Sequence, residues 1–281
     1  MNVNSQFRGW TIPGEIPPGA LTNTVIGPGE TLDALGGHFR IFQLENGHRF
    51  STDDILTAWY GSTWAPSVRA ALDLGSGIGT VAMLAAWRLA GARFVTVEAQ
   101  SESIRLARKS AEWNGLLNRF DIRRGDFRDR SVFQPDERFD LVLGSPPYFS
   151  VGSGIEGDHP QKAACRFELR GNIADYCQVA AAHLAQGGWF ACVFPITPAE
   201  QHDRIRAAAQ QNGLTIIRWR PVVLREPEPP LLGLFAMILS RDLPDWMRDR
   251  SWEEPPLTIR RADGTIHAEY SAVKLSFGFP P

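Results

Sequence analysis

The sequence predicts an α/β protein, an open and mostly parallel sheet with an antiparallel edge strand and helices on both faces. Three observations lead there. Short apolar segments of strand length at residues 69–74, 93–97, 120–125 and 139–144 alternate with stretches of helical periodicity, the pattern of strand–helix–strand units. The first of these segments runs directly into Gly75, Ser76, Gly77, Ile78 and Gly79 before a helix begins. Polar residues also stand at or beside the carboxyl ends of successive strands, as Asp73, Glu98, Asp126 and Ser145, which is where open α/β sheets bind ligands.

A chain of 281 residues, 43% of them hydrophobic, is long enough to bury the core of one such domain with appendages. Its formal net charge of -2 gives no overall attraction for nucleic acid, although a local basic face fits within a neutral total. Lys109, Lys162 and Lys274 are the only lysines, so the cations are nearly all arginine. Cys165, Cys177 and Cys192 are scattered and odd in number, which argues against zinc and against a disulfide framework. The first ten residues lack a signal-peptide core, and the longest apolar run, residues 231–239, is too short for a bilayer, so a soluble cytoplasmic protein is expected.

Residues 11–30 are rich in Gly and Pro, and Pro13, Pro17, Pro18 and Pro28 prevent regular helix, so an arm over the surface is expected. Residues 38–44 read as a strand, Asn46 and Gly47 as a hairpin turn, and residues 48–50 as the returning strand. Ser51 or Thr52 can cap a helix with Asp53 and Asp54 in its first turn and Ile55, Leu56, Trp59 and Tyr60 on its apolar face. His38 and His48 have no partner at metal-ligand spacing, and no metal is expected.

The glycine turn after residues 69–74 lets a ligand approach the backbone. Gly79 follows Gly77 by two residues, not by the three of a dinucleotide fingerprint. Asp73 would repel a phosphate but suits an ammonium group, and together these features favour S-adenosyl-L-methionine over NAD. Glu98, about twenty residues beyond the turn, is placed to accept both ribose hydroxyls of a nucleoside. Ser101 can cap the next helix, whose Arg105, Arg108 and Lys109 read as a solvated face. Asp126 and Phe127 end the third strand, where the acid can accept an adenine amino group and the ring can lie against the base.

Phe139–Gly144 is the fourth strand, with Leu141, Val142 and Leu143 as its apolar centre. Two prolines end it, because neither donates to a ladder and each fixes its own φ. The result is a stiff corner of Ser145, Pro146, Pro147 and Tyr148. An exocyclic base amine is a poor nucleophile because its lone pair is delocalised into the ring. The Ser145 oxygen and the Pro146 carbonyl can each accept one of its N–H bonds while Tyr148 stacks on the base. A proline-terminated strand with an exposed tyrosine is the plainer alternative, and the ordered acids upstream favour the chemical one.

Beyond the corner, residues 152–170 read as a long polar loop able to close over a target. A helix over residues 175–185 ends at Gly187 and Gly188, followed by a strand over 189–194 and a helix at Ala199–Gln211. Strands over 214–224 and 234–240, joined through Glu226 to Pro230, are expected to be antiparallel neighbours. Residues 257–261 and 265–270, linked by Asp263 and Gly264, read as a terminal hairpin. The expected organisation is an arm over 1–37, a hairpin and lead-in helix over 38–67 covering a cofactor site, a core over 68–245, and an appended hairpin over 246–281.

The segment from Arg49 to Trp59, the turn from Asp73 to Gly79, Glu98, Asp126 and the Ser145 to Tyr148 corner together resemble the class I S-adenosylmethionine-dependent methyltransferases. More narrowly, they resemble the bacterial tRNA adenine-N6 methyltransferases, from about Phe39 onward. The resemblance implies a Rossmann-like methyltransferase sheet, S-adenosyl-L-methionine as cofactor and RNA, most narrowly tRNA, as partner. It implies that Asp73, Gly75, Gly77, Glu98 and Asp126 hold the cofactor, that Thr52 and Asp53 close over it, and that Ser145 to Tyr148 take the target amine. The family usually carries Asn where this chain has Ser145. A peptide amide or small molecule as acceptor, and a non-catalytic cofactor-binding homologue, remain as alternatives.

Overall fold

The structure, a computed structural model, describes residues 6–7, 10–11, 24–149, 161 and 167–279. The Gly/Pro-rich arm and most of the expected loop over 152–170 lie outside them. In chain order the strands are β1 (Gln6–Phe7), β2 (Trp10–Thr11), β3 (Glu30–Gly36), β4 (Phe39–Leu44), β5 (Ala70–Leu74), β6 (Arg93–Glu98), β7 (Phe120–Arg124), β8 (Phe139–Gly144), β9 (Leu184–Pro195), β10 (Leu214–Arg225), β11 (Leu232–Leu239), β12 (Trp252–Glu253) and β13 (Leu257–Arg260). The α-helices among the described residues are α1 (Thr52–Trp64), α2 (Thr80–Arg88), α3 (Ser101–Trp113), α4 (Ile173–His183), α5 (Ala199–Gln211) and α6 (Ala268–Ser276).

In the main sheet β5 is the third strand from one edge. β6 and β7 follow on one side, β8 and β9 on the other, and all five run parallel. Strand order therefore reverses between β5 and β8, which opens a crevice outside their carboxyl ends. β11 is antiparallel to both its neighbours, β9 and β10, and so stands inside the sheet, while β12 and β13 extend it parallel to β10. The fold is Rossmann-like α/β.

Two apolar layers cover the sheet. One packs α1, α2, α3, α6 and the β3–β4 hairpin against one face, and the other packs α4 and α5 against the opposite face. Leu141, Val142 and Leu143 of β8 are fully buried between them, each contributing roughly 1.5–3 kcal/mol of transfer free energy. Gly61 brings α1 down onto this sheet, since a Cβ there would stand 2.4 Å from Leu143 Cδ2 and 3.2 Å from Ala191 Cβ. The basic run on α3 is not simply solvated, because Arg105 and Lys109 both pair with buried Glu30 on β3 and tie the hairpin to the core.

Several elements depart from the sequence expectation. The hairpin is β3–β4, turning at Gly37 with φ +50, and not at Asn46 and Gly47. Gly47 lacks the positive φ of a two-residue type I′ turn. Side chains take the place of a ladder there, as Gln161 Oε1 accepts from His48 N and Gln43 Oε1 from Phe50 N. Ser51 is the N-cap of α1, in a capping box with Asp54, whereas Gln100, not Ser101, precedes α3. Gly187 and Gly188 do not precede β9 but lie within it, beside a register shift against β8. The terminal hairpin is shorter than expected: it turns at Asp263 and left-handed Gly264, and its second arm is a single antiparallel bridge from Ile266 to Arg260. β13 pairs with β10, and residues 268–276 form α6, capped by His267 and buried through Tyr270 and Val273 at helical rather than alternating spacing.

Candidate active site

A cavity of about 620 Å³ opens at the carboxyl ends of β5, β6, β7 and β8, within the usual size of small-molecule sites. Its wall includes Asp53, Asp73, Gly75, Gly77, Glu98, Asp126, Phe127, Ser145, Pro146, Pro147 and Tyr148. The glycine turn and the double-proline corner thus face one space. Thr52 is not part of the wall.

The turn after β5 is left-handed at Gly75 (φ +60), Gly77 (+55) and Gly79 (+87). A Cβ at Gly75 would lie 2.4 Å from the Tyr176 hydroxyl, so close packing excludes a side chain. At Gly77 an added Cβ would meet nothing within 4 Å, leaving that backbone open to a ligand. Glu98 holds the turn in place: its carboxylate accepts from Gly77 N at 2.9 Å and Gln100 N at 2.7 Å while only 7% exposed. Buried Asp73 accepts from Ala82 N at 3.1 Å on the first coils of α2.

Acidic side chains crowd this space. Burial pushes Asp73 well above the ordinary carboxylate range, and the neighbouring charges of Asp54 and Glu98 push it further. Asp54 is pushed up to about 7, first by burial and then by Asp53, against the bond it accepts from Ser51 N. Burial also raises Asp53 and Glu98, against bonds donated by Tyr148 in the first case and by the Gln100, Gly77 and Ala99 amides in the second. Four raised carboxyls in one cavity are an environment that a bound cation relieves. Asp126 differs: Arg128 grips it with two nitrogens and holds it below the ordinary range.

At the corner, Tyr148 Oη donates to Asp53 Oδ2 at 2.6 Å, and Ser145 Oγ lies 3.3 Å from Thr57 Oγ1. Burial and the Asp53 charge keep the Tyr148 phenol protonated far above neutrality. Phe127 packs edge-on against Tyr176 with ring centroids 4.6 Å apart. The Ser76 hydroxyl is buried beside the cavity with no partner among the described residues, and such an orphaned group calls for a ligand atom.

Asp54, Ser76, Arg170 and Tyr176, which line the cavity, and Thr57, which lies behind it against Ser145, were not legible as site residues from spacing. Asp54 reads as a helix-cap acid, Thr57 as one more helical residue, and Arg170 and Tyr176 reach the cavity from a segment separated from the corner by more than twenty positions. Among the described residues no group of His, Cys, Asp and Glu is arranged to hold a metal, and no helix is long and apolar enough to cross a membrane.

A profile described as a methyltransferase domain matches residues 71–151, the stretch from β5 to just past the corner. The tRNA1(Val) (adenine(37)-N6)-methyltransferase of Porphyromonas gingivalis is 30% identical over 238 residues, covering 83% of this chain and 89% of that protein. The protein of the same description from Escherichia coli O157:H7 is 29% identical over 150 residues, covering 52% of this chain and 58% of its own length, so the match spans little more than half of that relative. Among solved structures, a predicted O-methyltransferase from Agrobacterium tumefaciens superposes with a TM-score of 0.62 at 20% identity, covering 82% of this chain and 98% of that one. Pyrococcus horikoshii TYW2 in complex with MeSAdo gives 0.53 at 13% identity, covering 75% and 71%. These structural likenesses are of fold. With a cavity at the β5–β8 switch point, a matching domain profile and a relative aligned over most of both chains, the protein belongs to the S-adenosylmethionine-dependent methyltransferases, in the family of the tRNA1(Val) (adenine(37)-N6)-methyltransferases.

Proposed function

We propose that the protein transfers a methyl group from S-adenosyl-L-methionine to an exocyclic amine of a nucleobase in RNA, with adenine N6 of a tRNA as the acceptor. The observation that carries this is the common cavity: the glycine turn and the Ser145 to Tyr148 corner line the same space. The cofactor's contribution, when bound, is an electrophilic methyl on a sulfonium centre.

The residues present fit that cofactor. Asp73 and Asp54 give its ammonium group a negative wall, and the open backbone at Gly77 admits it closely. Glu98 takes the ribose hydroxyls with the lone pairs not spent on Gly77 N and Gln100 N. Asp126, fixed by Arg128, and Phe127 border the adenine position. Asp53 closes over the site through its bond with Tyr148. Thr52 begins α1 next to Asp53 but does not line the cavity.

On the acceptor side, Ser145 Oγ and the Pro146 carbonyl accept the two N–H bonds of the target amine, which draws its lone pair out of the ring plane and toward the methyl. Tyr148 flanks the base. Rate acceleration is then mainly alignment, with no strong base required, since the nitrogen becomes acidic once methylated. The names of the relatives support RNA, and the Porphyromonas gingivalis protein supports adenine N6 in a tRNA.

The test is incubation with trideuteriomethyl-labelled cofactor and either total RNA or total protein, followed by complete digestion and mass spectrometry. Labelled N6-methyladenosine in the tRNA fraction is expected. Label confined to glutamine or another amide in the protein digest would move the acceptor to a peptide, and no label in either digest would remove the activity.

A further inference from the structure

A buried hydroxyl faces the corner without a role in the reading above. Thr57, fully buried on α1, places Oγ1 3.3 Å from Ser145 Oγ. Its position is fixed from beneath, because Gly61, one turn later, presses α1 onto Leu143 of β8 and Ala191 of β9. The helix is therefore held against the strand that ends in the corner, and Thr57 comes to rest beside Ser145.

Hydroxyls inside helices usually return to a carbonyl one turn back. Ser62 does so on this helix with Ala58 O at 2.5 Å, and Thr63 with Trp59 O at 2.7 Å. Thr57 instead turns outward, to Ser145. A buried hydroxyl proton without an acceptor is unfavourable, and Ser145 borders the open cavity, so the economical arrangement has Thr57 donating and Ser145 accepting. A serine oxygen keeps a second lone pair when it accepts one bond. The Thr57 bond stops the Ser145 rotor and leaves that second lone pair for the cavity.

We propose that Thr57 is a positioning residue for the transfer, fixing Ser145 Oγ as the acceptor for one N–H of the target amine. This rests on the methyl-transfer reading. A side chain carrying its own carbonyl at position 145 needs no such help, whereas a lone hydroxyl alternates between donor and acceptor unless its rotor is set.

Labelled cofactor and RNA from cells lacking this protein provide the assay, with cofactor Kd and Tm measured alongside. Thr57→Val keeps the shape and removes the hydroxyl, and kcat is expected to fall roughly tenfold, the worth of one neutral hydrogen bond, with Kd and Tm close to the parent. Thr57→Ser restores the rate. In an enzyme carrying Ser145→Asn, adding Thr57→Val has no further effect. The proposal is overturned if Thr57→Val leaves kcat unchanged, if Thr57→Ser is as slow as Thr57→Val, or if Thr57→Val slows the Ser145→Asn enzyme as much as it slows the parent. In each of these cases the parent still transfers methyl and the broader reading stands. Absence of transfer by the parent overturns both.

Discussion

Tyr148 makes two separable contributions that a pair of variants can divide. Its ring flanks the proposed acceptor position, and its hydroxyl donates to Asp53 Oδ2 at 2.6 Å. Tyr148→Phe keeps the ring and deletes the tether, leaving Asp53 without that donor in a place where burial already raises its pKa. A hydrogen bond to a charged group is worth about 1.5–3 kcal/mol, but Asp53 can escape part of the loss by taking up a proton. The sign follows from linkage. The Asp53 pKa, already above its unfolded value, rises further in the variant, so the stability deficit is smallest in acid and grows as pH climbs through the folded pKa. At neutral pH a deficit of about 1–2 kcal/mol lowers Tm by about 2–4 °C per kcal/mol for a chain of this size. A loosened ring also aligns the base less well, so kcat is expected to fall about tenfold in Tyr148→Phe and a hundredfold or more in Tyr148→Ala, with cofactor affinity little changed. Thermal melts from pH 5.5 to 8 and single-turnover methyl transfer read these effects. A Phe variant equal to the parent in rate and in Tm at every pH refutes the tether, and an Ala variant of parental rate refutes the placement of the acceptor at this corner.

Three further outcomes follow from the cofactor side. Gly77→Ala should fold with a small loss, about 1–2 kcal/mol for a left-handed alanine, yet weaken cofactor binding tenfold or more in calorimetry, because the new methyl enters open cavity space; Gly75→Ala, 2.4 Å from the Tyr176 hydroxyl, should lose more stability. Glu98→Gln leaves one buried backbone N–H facing an amide NH2, at about 1–3 kcal/mol, and should lower Tm and cofactor affinity together, whereas unchanged affinity would detach Glu98 from the ribose. With Asp54 pushed up to about 7 in the free protein, its contribution to stability is full below its unfolded pKa and is lost as pH rises toward 7. A cationic ligand prefers it ionised, so affinity should rise about fivefold between pH 6 and 7, and Asp54→Asn should flatten that profile.

The sequence made the sheet legible where chemistry and periodicity agreed. Strand-length apolar runs, the left-handed glycines after β5 and the prolines after β8 each have one cheap backbone solution, so the parallel core and its switch point follow from local rules. The hairpin was misplaced because Asn46 and Gly47 carry a strong turn signal that the side chains of nearby Gln43 and of Gln161, far along the chain, override. The second arm of the terminal hairpin was drawn too long, to Tyr270, because six residues hold too little pattern to separate a strand from the helix that starts at Ala268. Around the cavity, the residues beside a turn or strand end were visible, while Tyr176 on its wall and Thr57 behind Ser145 were not. Their place depends on how closely α1 and α4 approach the sheet, and that distance is set by Gly61, Gly75 and Gly144 packing against partners far away in the chain.

The most direct measurement is a crystal structure with S-adenosylhomocysteine bound. The account predicts the ribose on Glu98, the amino group among Asp54 and Asp73, and the sulfur turned toward Ser145 and Tyr148 with open space between for an amine. A ligand seated elsewhere, or seated on Glu98 with its sulfur directed away from the double-proline corner, would contradict it.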